Sequence, residues 1–115
     1  MPLQPPTSGG FGPVATNAQT GTSYTLALAD AQALVTLNNG SAIALTVPTN
    51  ASVAFPLGTS IIIAQLGAGQ VTVGGAGGVT VNSRGAALKL NAQYAAATLV
   101  LYAADTWVLS GDTTT

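Results

Sequence analysis

The sequence predicts an all-β domain: a compact antiparallel β-sandwich or jelly-roll-like barrel of about nine short strands, behind an extended N-terminal arm. Three observations predict it. From residue 21 to 112, apolar and polar residues alternate with a period of two rather than 3.6. Turn-forming clusters separate the alternating runs at the short, regular spacing of sandwiches and barrels. Thr, Val and Gly interrupt every stretch long enough to be a helix.

The elements follow in chain order. Residues 1–20 hold Pro2, Pro5, Pro6 and Pro13 with Gly9, Gly10 and Gly12, which fit neither a helix nor a central strand. They read as an extended arm lying on a neighbouring subunit, anchored by Leu3, Phe11 and Val14. Residues 21–112 read as the all-β domain and 113–115 as a tail. Tyr24–Leu28 and Leu34–Leu37 alternate, and Ala29–Ala33 between them is long enough only for a turn. Asn39-Gly40 carries the signal of a type I′ hairpin into Ala42–Val47, which Pro48 ends. Thr59–Gln65 is β-branched and is expected to be buried on both faces. Gln70–Val73 and Val79–Asn82 flank Gly74–Gly78, read as a flexible hairpin connection. Leu88–Asn91 follows the Ser83-Arg84-Gly85 turn. Ala97–Ala103 and Trp107–Ser110 reverse at Ala104-Asp105-Thr106.

Composition excludes most chemistry. Of 115 residues, the charged ones are Asp30, Asp105, Asp112, Arg84 and Lys89; His, Cys and Glu are absent. No His-based acid/base, Cys nucleophile, His/Cys zinc site or Glu/Asp pair can be assembled. No catalytic residue, cofactor or metal is expected, and the chain reads as a non-enzyme. Two cations cannot neutralise several phosphates, so nucleic acid is not an expected partner. No run of about 18 apolar residues spans a bilayer, and the first residues lack a signal-peptide pattern, so a membrane is not expected either.

Hydrophobic residues make up 48% and charged ones 4%, against about 25% charged in an ordinary domain. Sixteen Thr and 21 Ala stand where Lys and Glu usually do. A surface with so little charge is poorly protected against association. A chain of this size buries only about 60–65% of its unfolded surface by itself. Coverage by other subunits is therefore expected.

Single residues offer little chemistry. Asp30 is expected to cap a turn, and Asp105 to bond its own backbone at a hairpin tip. Lys89 reads as a charge on an exposed strand edge. Trp107 alternates with Leu109, and Tyr102 with Val100, which favours core or interface burial. Were aromatics exposed, Tyr94 and Trp107 would be the glycan contacts.

Several segments taken together point further. Thr36-Leu37-Asn38-Asn39-Gly40-Ser41 leads into Leu45-Thr46-Val47-Pro48; Val53-Ala54-Phe55-Pro56-Leu57-Gly58-Thr59 opens an Ile-rich strand. Gly69-Gln70-Val71-Thr72-Val73, Leu88-Lys89-Leu90, Ala97-Thr98-Leu99-Val100 and Thr106-Trp107-Val108-Leu109-Ser110-Gly111-Asp112 complete the set. Across Gly21 to Asp112 this resembles a β-module of tailed-bacteriophage virion proteins, found in C-terminal parts of tail-fibre-like proteins and in small head proteins. The resemblance implies a non-enzymatic particle component, usually trimeric, and carries no catalytic residue. In tail proteins the module ends a long fibrous chain; here a 20-residue arm precedes it. The expectation is thus a capsid decoration (cement) protein on the capsid surface of a virion, a homotrimer whose partner is the major capsid protein. The alternative expectation is a tail-fibre or receptor-binding module that recognises a host-surface glycan.

Overall fold

A computed structural model describes residues 13–115. The chain changes sheet at almost every strand, and the fold follows from that. In order the strands are β1 (Thr16–Gln19), β2 (Ser23–Thr25), β3 (Leu34–Leu37), β4 (Ile43–Val47), β5 (Ser60–Gln65), β6 (Val71–Gly75), β7 (Thr80–Ser83), β8 (Lys89–Leu90), β9 (Ala96–Ala103), β10 (Thr106–Gly111) and β11 (Thr113–Thr114). A six-stranded sheet has the order β1-β3-β5-β9-β10-β7, and a five-stranded sheet the order β11-β8-β6-β4-β2.

The expected all-β body of short strands is what forms. Each of the nine expected strands overlaps an observed one. Two more appear: β1 within the stretch read as arm, and β11 within the tail, paired with β8. Leu3 and Phe11, the first two expected anchors, lie outside the described residues. A 3₁₀ turn at Leu28–Asp30 occupies the segment expected to be a turn.

Strand pairing corrects the antiparallel expectation, because both sheets are mixed. β1, β3 and β5 run parallel, as do β2, β4 and β6. The chain therefore winds as a short coil, laying alternate strands in alternate sheets. The last strands break the pattern: β9 pairs antiparallel with both β5 and β10. The β9–β10 reversal at Asp105 is the hairpin that the sequence predicts there, with Asp105 at φ 50°.

The other two expected hairpins are corrected. Asn39-Gly40 joins strands of different sheets, and neither residue takes a positive φ. What shapes this corner is contact with the next coil. Asn38 N donates to Gln19 O at 3.0 Å, and Gly69 N to Asn39 O at 2.8 Å. The Asn39 side chain donates to Thr20 O and accepts from Ser41 N, both at 2.8 Å. Corners of three successive coils are thereby stacked. Gly74–Gly78 likewise carries the chain from one sheet to the other.

Inward residues of both sheets form one cluster, including Leu37, Leu45, Ile61, Ile63, Val71, Leu99, Leu101 and Leu109. Phe55, from the loop after Pro48, enters this cluster and meets Trp107 edge to face, with centroids 5.4 Å apart. Gln65 is the polar inward residue of β5. It accepts from Val71 N at 3.0 Å and donates to Gly67 O at 3.1 Å, which fixes the corner between β5 and β6.

Candidate functional site

The three acidic side chains lie in different parts of the fold. Asp30 is buried at the β1/β2 end, Asp105 is at the β9–β10 tip, and Asp112 lies between β10 and β11. Among the described residues no three metal-ligating side chains converge. No helix among them is long and apolar enough to cross a membrane.

The β1/β2 end is closed by polar groups. Alternation points Asn17, Gln19 and Tyr24 inward, where the next coil carries Val35, Leu37 and Leu45. Asp30 collects three donors there. Tyr24 OH donates to Oδ2 at 2.6 Å, Ala27 N to Oδ2 at 2.8 Å, and Asn17 Nδ2 to Oδ1 at 2.8 Å. Gln19 in turn donates to Asn17 Oδ1 at 2.8 Å. A buried carboxylate without donors would be costly, and this one is satisfied. Asp30 thus caps its turn, as the sequence suggests, and also ties β1 and β2 together. Burial, with the hydrogen bond to Asp30 and that carboxylate's charge, pushes the Tyr24 phenol up to about 12. The inward Asn17 and Gln19 of a Thr-Asn-Ala-Gln strand are the sequence signal for this end, hidden while that strand is read as arm.

The six-stranded sheet turns its other side outward. Its cross-strand rows follow from the pairing. Thr16, Leu34, Ile62, Thr98 and Ser110 form one row across β1, β3, β5, β9 and β10. Ala18, Thr36, Ala64 and Ala96 form the next. Ser60, Val100, Val108 and Asn82 form the third. None of these rows holds an acid or a base. Ile62, expected to be buried, is 38% exposed in the middle of the sheet. Its neighbours Ile61 and Ile63 point inward, so β5 buries one face only and that expectation is corrected.

Other singled-out residues settle as follows. Val14 is exposed just before β1. Tyr94 is 75% exposed in the turn before β9. Tyr102 is exposed and accepts from Asn82 Nδ2 at 2.8 Å. Trp107 is 0% exposed, so its ring is unavailable to a glycan; the inward phase it shares with Leu109 places it in the core. Lys89 is on β8, which lies between β6 and β11, and so is not on an edge strand. The Asp105 carboxylate accepts from Asn50 N at 2.7 Å, a partner remote in sequence, rather than from its own turn.

No protein-family model matches the chain, and no curated protein matches it.

Proposed function

We propose that the chain is a structural protein of a phage virion, a capsid decoration protein that clamps neighbouring major capsid protein subunits and stabilises the head. The observation that carries this reading is the outer face of the six-stranded sheet: three cross-strand rows with no acidic or basic side chain. A freely diffusing domain keeps such a face charged to stay dispersed. This face suits burial against other protein. The resemblance of residues 21–112 to virion β-modules supplies the kind of particle.

Size decides how the clamp works. Six strands at about 4.8 Å spacing span about 24 Å, and the shared strand length is about 17 Å. The flat face therefore offers roughly 400 Å², about half of what one partner buries in a standard interface. One face is too small for a durable contact. A trimer carries three faces and three N-terminal segments, and linked contacts gain from effective concentration. Binding only the intact shell then shifts its disassembly equilibrium toward the assembled state.

Mixing the full chain with heads that lack it tests this reading. The expected result is co-sedimentation with the heads and a higher disassembly temperature. Removal of residues 1–12 should weaken attachment and leave the body folded. Removal of residues 1–20 is a different experiment, because it deletes β1 and the Asn17 donor to Asp30. Labelling confined to the tail, with no effect on head stability, would contradict the decoration role.

A second reading, a glycan-recognition module of the tail, is favoured by the exposed Tyr94 ring alone. Glycan-array binding lost on Tyr94→Ala, with folding intact, would support it.

A further inference from the structure

We propose that copies of this chain join head to tail through one charge pair, Asp105 of one copy entering the groove beside Arg84 of the next. The inference rests on the assembly reading above and adds the contact that sets its geometry.

The groove has a volume of about 570 Å³ and opens where β7 and β10 end. Ala87, Val108, Leu109, Ser110 and Thr113 are among the residues that line it. Arg84 is the only charged residue lining it, and no acid does. Arg84 is exposed at the start of a turn that Gly85 and Ala86 hold at φ 65° and 56°. A guanidinium so placed can take a carboxylate through two parallel hydrogen bonds.

The chain has three carboxylate side chains, and the fold leaves one suited to this role. Asp30 is buried and holds three donors. Asp112 adjoins Gly111 and Thr113 of the groove's own rim and accepts from Asn91 Nδ2 at 3.0 Å. Asp105 is at the opposite end of the same strand pair: Thr80 N, opening β7, donates to Asp105 O at 2.9 Å. The Asn50 amide fixes one carboxylate oxygen, and a carboxylate accepts through two. The acid and the cation are thus separated by β7, four residues and about 13 Å of strand. They cannot pair within one copy along that strand.

Opposite charges at opposite ends of one element make a heterologous contact. Such a contact closes into a ring when its rotation allows, and a cyclic trimer is built only from contacts of this type. On a surface nearly free of charge, one pair also fixes the register of association.

Charge reversal tests the pairing. The variants Arg84→Asp and Asp105→Lys each place like charges in the contact. Each is checked for folding by circular dichroism, with Asp105→Asn as the milder change at a positive φ. Sedimentation equilibrium should show each reversal weakening self-association by about tenfold or more. The double reversal, Arg84→Asp with Asp105→Lys on one chain, restores a complementary pair at every contact of a ring of any size, so it should assemble at close to wild-type affinity. Single reversals that leave wild-type assembly unchanged, or a double reversal that assembles no better than the single ones, would overturn the pairing while the assembly reading stands. A wild-type chain that remains monomeric at every concentration would overturn both.

Discussion

The amide of Gly69 donates to the carbonyl of Asn39 across 2.8 Å, and this contact holds one coil of the fold on the next. The approach is so close that a Cβ on Gly69 would lie 1.8 Å from Ser41 O. Gly40, in the facing corner, has nothing within 4 Å of its own virtual Cβ. Gly69→Ala should therefore cost about 3 kcal/mol or more, since backbone must move to admit the methyl group. Gly40→Ala should cost well under about 1 kcal/mol. Urea midpoints of the two variants check the contrast, and equal midpoints would contradict the stacked-corner account.

Tyr24 gives the fold an alkaline limit. In the unfolded chain the phenol ionises at its ordinary 10.0, and in the folded chain only at about 12. Between these values the unfolded state has released a proton that the folded state keeps, so rising pH favours unfolding. Tyr24 contributes full stability below pH 10, and that contribution is lost toward pH 12. Denaturation at pH steps across this window should show the decline in the wild type. Tyr24→Phe should be less stable at neutral pH and should show a shallower alkaline decline.

Trp107 is the one tryptophan, fully buried against Phe55, with an indole N–H that finds no acceptor among the described residues. Its emission should be blue-shifted and resist quenching by acrylamide. Trp107→Ala should cost about 3–5 kcal/mol through the cavity it leaves. Trp107→Phe should cost less than its lost volume suggests, because it also removes a buried donor without a partner. Wild-type emission typical of a wet indole would contradict the core placement.

The strands were legible in the sequence because alternation is local. Leu34–Leu37 can be read directly, and the phase that pairs Trp107 with Leu109 turns the indole inward. Which sheet a strand joins is not local. Asn39-Gly40 has the chemistry of a hairpin, but Gly69, Ser41 and Thr20 decide its conformation, and they are neighbours only once the chain has coiled. The polar end was hidden for the same reason. Asp30 draws its donors from Asn17, Tyr24 and Ala27, and β1 and β2 reach it from opposite sheets. The uncharged outer face follows from composition in kind, but locating it required knowing that Ile62 points outward.

Sedimentation equilibrium of the full chain, from low to high micromolar concentration and from low to moderate salt, tests the central claim most directly. The account predicts a closed species of three times the 11.2 kDa chain mass, with only a slight salt dependence because few charges take part. A monomer throughout that range would contradict it.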